Sequence, residues 1–222
     1  MDLLFRRRQL FESQSFDNYI RDGLVLWLDG IEKGNNSDAW TDKINNHIFT
    51  NNGCVFKDNC VEFTNGKLTN TSFVAPSSNS GTIELVFYCD DSIAAQVIFM
   101  PKSGQSGIGF GMFSDDRVYI NAVTSTPKRY PWNVVKPTVI SSVSLSNSRG
   151  YVNGVSKSKY STPDSYNTYL AYADSYNNIG NREPGHAAQF VGSLYSLRIY
   201  NRILTQNEIL HNYTIDKARF NL

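Results

Sequence analysis

Long apolar runs are missing from the 222 residues. No stretch approaches the roughly 18 to 20 residues a membrane-spanning helix needs, so no span is expected. The opening MDLLFRRRQLF has basic residues but no apolar segment after them, so it does not predict a Sec signal peptide. Cysteine is scarce: three residues are too few for a disulfide scaffold, and the odd count leaves at least one thiol free. His47, His186 and His211 stand alone and no Cys-x-x-Cys pair occurs, which removes the usual zinc spacings. Charge of one sign is lacking too. Lys+Arg 21 against Asp+Glu 20 leaves +1, which argues against a protein that coats nucleic-acid phosphates. With 18% charged residues the chain is also no charge-rich disordered polymer.

What is abundant is the vocabulary of turns and exposed β faces: Asn, Ser and Thr together make up about a quarter of the chain. From Gly23 onward short apolar runs alternate with turn residues, the pattern of a β-sandwich. Leu24 to Leu28 reads as a buried strand, followed by a polar loop from Asp29 to about Asn46. Val55-Phe56 and Val61 to Phe63 flank a turn at Asp58-Asn59. That register sets Cys60 opposite Lys57 and Cys54 opposite Phe63, so the two sulfurs do not face each other and all three thiols are expected reduced. Thr82 to Tyr88 is the strongest strand, and Val97 to Met100, Ile108 to Phe113 and Val118 to Ile120 follow. Val139 to Leu145 alternates aliphatic residues with serine, which predicts one buried and one wet face. Asn153-Gly154 between Val152 and Val155 predicts a hairpin with a type I′ turn. In the last strand Leu194, Ser196, Arg198 and Tyr200 are expected on one face, with Tyr195, Leu197 and Ile199 on the other. A helix follows: Thr205 and Glu208 form a capping box, and Leu204 with Ile209 a hydrophobic staple. Residues 1–20 are set apart as an N-terminal arm that either frays or docks on a partner, leaving 21–222 as one domain.

GLVLWLDG, NCVEFTNGKL, TIELVFY, RGYVNGV, NNIGNR and FVGSLYSLRIYNRILTQNEILHNY occur in that order. Together they resemble a laminin-G-like domain of the concanavalin A-like lectin/glucanase superfamily, over about residues 23 to 215. The resemblance implies an all-β jelly-roll sandwich of two antiparallel sheets with a short C-terminal helix. The opening and ending also resemble modules of tailed-bacteriophage virion proteins and of bacterial surface proteins. The implied function is a non-catalytic recognition or adhesion module of a phage virion, as in a tail or head fibre, binding host-surface glycan. The alternative is a purely structural virion protein, a capsid decoration or fibre anchor that contacts only other virion proteins through its N-terminal arm. The implied location is the virion, or else a bacterial surface or the secreted fraction, and a homo-oligomer is compatible with either.

The superfamily's glucanases suggest a third class, a glycoside hydrolase. Such enzymes work with paired carboxylates on one strand face. No Glu-x-Asp-x-x-Glu run occurs, Glu62 and Glu84 stand singly on apolar strands, and Asp90-Asp91 and Asp115-Asp116 read as turn residues. No Gly-x-Ser-x-Gly elbow is present either. No enzymatic activity is expected. No cofactor is expected beyond a possible Ca2+, which some laminin-G-type modules hold. Its candidate donors are Asp29, Asp38, Asp42, Asn35-Asn36 and Asn177-Asn178, which read equally as turn-forming residues. Gly107, Gly109 and Gly111 alternate with apolar residues and would leave a strand face bare for a ligand or, more commonly, a packed neighbour. Sugar recognition uses aromatic faces with polar neighbours. Two groups provide them: Lys128, Arg129, Tyr130 and Trp132 in what reads as a Pro131-containing loop, and Tyr169 and Tyr172 in a tyrosine-rich stretch.

Overall fold

The computed structural model describes residues 18–34, 36–77, 79–90, 96–102, 107–112, 117–122, 128–160, 164–165, 176–180 and 189–222, with the backbone alone at 121–122, 128–130 and 164–165. In chain order the strands are β1 (Leu24–Asp29), β2 (Ala39–Thr41), β3 (Ile48–Asn52), β4 (Val55–Phe56), β5 (Val61–Phe63) and β6 (Lys67–Asn70). They continue with β7 (Thr82–Cys89), β8 (Gln96–Met100), β9 (Ile108–Met112), β10 (Arg117–Ala122), β11 (Lys128–Val135) and β12 (Ser141–Ser146). Then come β13 (Gly150–Val152), β14 (Val155–Lys157), β15 (Asp164–Ser165), β16 (Asn177–Ile179) and β17 (Gly192–Tyr200), followed by helix α1 (Gln206–Phe220).

The strands form two antiparallel sheets. The first runs β14-β13-β12-β7-β17-β5-β4, with β1 added beside β17; the second runs β15-β11-β10-β9-β8-β16-β6-β3-β2. Between them lies the main core. Leu26, Leu28, Ile83, Leu85, Phe87, Val143, Leu145, Leu197 and Ile199 from the first sheet meet Phe49, Leu68, Ile98, Phe99, Phe110, Ile120 and Ile179 from the second. The period-2 alternation supplies most of these faces, while a register shift between Val97 and Phe99 lets the consecutive Ile98 and Phe99 both join the core. This is the expected jelly-roll sandwich of two antiparallel sheets with a C-terminal helix.

Local signals are honoured at several points. Asn153 (φ 48°) and Gly154 (φ 75°) both take the left-handed conformation a type I′ turn needs, and Val152 pairs with Val155. Val55 pairs with Glu62 and Phe56 with Val61, the register expected around Asp58-Asn59, and the three cysteines are free and buried. Thr205 caps α1: its hydroxyl accepts from the Glu208 N–H while the Glu208 carboxylate accepts from the Thr205 N–H at 2.7 Å. Leu204 and Ile209 are both buried in one apolar cluster under the helix.

Four expectations need correction. Leu194 joins the main core with Leu197 and Ile199, because the pairing with β7 skips Tyr195, a β-bulge that turns Leu194 to the opposite face from Ser196. Tyr195 instead faces the helix side and meets the Phe220 ring edge-on. The serine face of β12 is not wet: Ser142, Ser144 and Ser146 are buried, and Ser142 donates to Asp216 of α1. The arm boundary at residue 20 cuts through packed structure. Tyr19 is buried, its hydroxyl donates to Asp216, and the Ile20 N–H donates to Asn212. Finally, Lys128 to Val135 is a strand, not a loop.

Candidate functional site

Helix α1 occupies the outer face of the first sheet, and the β1–β2 loop meets the β4–β5 turn at that sheet's β4 edge. Helix α1 covers β7, β12, β1 and the end of β17 through a charged layer. Arg198 donates to Glu84 at 3.0 Å and to both Asp216 oxygens at 2.8 and 2.6 Å. Asn212 adds a bond to Glu84 at 2.8 Å and another to the Tyr200 hydroxyl. Burial pushes the Glu84 carboxyl above its ordinary range, because desolvation outweighs the guanidinium beside it. These groups have partners on every side and none opens to solvent. Their chemistry is structural.

At one end of the helix Arg219 reaches past this layer to the β1–β2 loop, pairing with Asp29 at 2.8 Å and with Glu32. The other oxygen of Asp29 accepts the N–H groups of Ile31 and Glu32 at 2.9 and 3.1 Å, which folds the loop into a tight turn. Lys43 pairs with Glu32 from the outside. The loop is thereby fixed on its rear side.

Its front side forms a cleft of about 370 Å³ with the β4–β5 turn, lined by Ile31, Lys33, Asn36, Ser37, Phe56, Lys57 and Asp58, with Gly34 at the rim. That volume lies within the range of small-ligand sites, roughly 300 to 1,000 Å³. Gly34 (φ +74°) has open space where a side chain would stand. Phe56 is half-buried against the core, its ring supported edge-on by Trp40. Lys33 crosses between the two walls, its Nζ donating to Gly30 O at 2.6 Å and Asp58 O at 3.0 Å. Burial lowers its pKa, partly offset by Cys60, Asp58 and Asp29. Lys57 lies 3.4 Å from Glu62 with half its side chain exposed. A smaller hollow of about 180 Å³ lies at the other end of β5, among Glu62, Thr64, Tyr88, Asp90 and Ser193. The cleft therefore offers an aromatic ring, two ammonium groups, an amide, a hydroxyl and a single carboxylate.

None of the residues expected to bind ligand lines this cleft among the described residues. Lys128, Arg129 and Tyr130 belong to β11, in the second sheet, and only their backbone is described; Tyr169 and Tyr172 lie outside the described residues. Trp132 is 2% exposed, packs in the main core and stands over Gly150 of the opposite sheet, where a β-carbon would come within 2.5 Å of the ring. Its ring is not available for stacking. Pro131 misled the reading: it sits where the β10–β11 register shifts, a place in a sheet that tolerates proline.

The bare strand of alternating glycines is filled as well, since the Tyr119 ring lies against Gly111. Of the candidate calcium donors, Asn35 lies outside the described residues, and several of the others are engaged elsewhere. Asp42 spends its oxygens on the N–H groups of Trp27, Ile44 and Asn45, Asn36 accepts from Asp38 N–H, and Asn177 bridges Asn70, Phe73 and Lys102. With Asp29 engaged by Arg219, these residues do not fit an ion, and among the described residues no group of three His, Cys, Asp or Glu could hold one. Sequence reasoning missed Lys33, Phe56 and Lys57. The available signal was the Gly34 to Ser37 run beside a lysine, in a loop too polar to be core.

The described residues define a jelly-roll sandwich with a helix packed on its outer face. A family model for the concanavalin A-like lectin/glucanases superfamily matches residues 49–210, and the chain belongs to that superfamily. No curated protein matches it in sequence. Among solved structures it is similar to a Trypanosoma rangeli sialidase in complex with sialic acid, at 15% identity and TM-score 0.57, over 89% of this chain and 33% of that one. The botulinum neurotoxin serotype G binding domain matches at 14% identity and TM-score 0.59, over 88% of this chain and 51% of that one. A botulinum neurotoxin type C structure, whose cell entry depends on two ganglioside molecules, matches at 11% identity and TM-score 0.56, over 86% and 51%. The chain thus spans about a third to a half of these proteins, and the likeness is one of fold. Among the described residues no helix is long and apolar enough to cross a membrane.

Proposed function

We propose that the chain is a non-catalytic recognition module that binds glycan in the cleft between the β1–β2 loop and the β4–β5 turn. The observation that carries this reading is the combination at one wall-to-wall site of the Phe56 ring, Asn36, Ser37, Lys33, Lys57 and Asp58. A ring face packs against sugar C–H surfaces while the surrounding donors and acceptors fix the hydroxyls. The lectin-like superfamily and the sialic acid and gangliosides named with its structural neighbours support the ligand class. Support for a non-catalytic role comes from the lining: Asp58 is its one acidic residue and it holds no tyrosine, whereas the common retaining and inverting glycosidases use two carboxyl groups and sialidases a tyrosine nucleophile. The setting that best fits the opening and closing segments is the virion of a tailed phage, with glycan on the host surface as target and other virion proteins held by the N-terminal arm.

A glycan array probed with the wild type and with Phe56→Ala tests the reading. Binding is expected for the wild type and a loss of about tenfold or more for the variant, the scale of a removed aromatic anchor. A thermal melt shows whether the variant is folded at the assay temperature. No binding to any glycan, or equal binding by a folded Phe56→Ala, overturns it. Release of reducing ends from a bound glycan would overturn the non-catalytic part.

A further inference from the structure

Resting on that reading of the cleft, we propose that the saccharide it takes carries a negatively charged substituent, held between the ammonium groups of Lys33 and Lys57. The lining is unbalanced toward donors. Lys33, Lys57, Asn36 and Ser37 can all donate, and Asp58 is the only anionic acceptor among them. Lys33 is held in place by two backbone carbonyls, Gly30 O at 2.6 Å and Asp58 O at 3.0 Å. An ammonium has three N–H donors, so one remains for a ligand. Because the long side chain is already ordered, binding through it costs little further rotamer entropy. The two carbonyls are neutral, and Cys60, Asp58 and Asp29 offset only part of the burial that lowers the pKa of the amine, so its positive charge is incompletely compensated. An anion arriving there recovers what burial removed.

Lys57 stands on the opposing β4–β5 turn, 3.4 Å from a Glu62 that is itself partly exposed. Such a surface pair contributes little, so Lys57 can exchange Glu62 for a ligand at small loss. Asp58 narrows the choice further. Its carboxylate, on the same turn, would repel a polyanion but accepts hydroxyl protons. One anionic group set among hydroxyls satisfies all of these residues, and a charged sugar has that make-up. The charged group can be a carboxylate, a sulfate or a phosphate ester, which share the acceptor chemistry that the two lysines recognise.

Calorimetric titration of the full chain with matched oligosaccharides separates the possibilities. The set contains a uronic-acid oligosaccharide, its carboxyl-reduced neutral form, and sulfated and phosphorylated versions of that neutral form. At least one charged member is expected to bind about tenfold or more tightly than the neutral form, as charge-assisted bonds allow. Which member does so identifies the group. In Lys57→Gln the preference should shrink toward parity without a change in the melt, since this side chain pairs only at the surface. Lys33→Gln should remove most of the preference. It also cuts the tie between loop and turn, so Lys57→Gln decides the matter if that variant unfolds. Equal affinity for charged and neutral members, both weakened by Phe56→Ala, overturns the inference and leaves glycan binding in the cleft intact. An unchanged preference in folded Lys57→Gln and Lys33→Gln also overturns it. Failure of every saccharide to bind overturns the underlying reading, and the inference with it.

Discussion

The layer under α1 and the cleft beside the β4 edge use charge in opposite ways. Under α1, Arg198, Glu84 and Asp216 are buried and bonded to one another and to Tyr19, Ser142 and Asn212 at 2.6 to 3.0 Å. Around the cleft, Lys33 donates to two carbonyls with Asp58 and Asp29 nearby, and Lys57 makes a loose surface pair. Saturated charges in a dry layer fix geometry, whereas unsaturated charges at a wet rim are available to a visitor. The number of charged residues does not separate the two regions; the completeness of their bonding does.

The largest expected effect breaks the saturated layer. Arg198→Met leaves Glu84 and Asp216 buried without their cation, which should cost about 3 to 5 kcal/mol in a denaturant titration. A cost below about 1 kcal/mol would show that the layer relaxes to water. Trp132→Ala belongs to the same class of loss, about 3 to 5 kcal/mol, since it empties a core site over Gly150. Glycan affinity measured where that variant is still folded should not change; a loss there would return the site to the second sheet. Thr205→Ala removes the cap of α1 and should cost about 1 kcal/mol, read from the shift in urea midpoint.

Glu208 provides the smallest effect and a pH signature. Arg202, with Thr205 behind it, holds the Glu208 carboxyl down at about 2 against an ordinary 4.5. A depressed folded value means stability that is present above the unfolded pKa and lost as pH falls through the folded one. Glu208→Gln should therefore melt below the wild type at neutral pH, by less than about 1 kcal/mol, and the two curves should converge between pH 4.5 and 2. Divergence that grows with acid would reverse the sign and remove the pair as its cause.

Where structure follows from neighbours a few residues apart, the sequence was readable. Asn153-Gly154, the Thr205 and Glu208 box, and the cysteine register around Asp58-Asn59 each depend on local backbone chemistry. Readings that assumed unbroken alternation failed when one residue was added. The bulge at Tyr195 sends Leu194 to the core. Pro131 is a different failure: as a loop signal it misleads, since it lies in strand β11 next to a two-residue register shift. Ser142 and Ser144 read as wet because the helix that covers them lies some 70 positions away in sequence. The cleft was illegible for the same reason. Lys33 and Asp58 are 25 residues apart, and only the fold brings the β1–β2 loop against the β4–β5 turn.

The clasp between Tyr19 and Asp216 has a mechanical meaning. The two groups are 197 positions apart along the chain and 2.7 Å apart in space, and Arg219 stands 5.7 Å from the same tyrosine ring. Tension applied through the segments flanking the domain would reach this clasp before it reached either sheet. The contacts of Tyr19, Ile20 and α1 would open one after another, as a zipper does, while the strands stayed unloaded. A tether attached at both sides would thus yield by the length of a helix, and the release of Arg219 from Asp29 and Glu32 would loosen the cleft's loop as it did so.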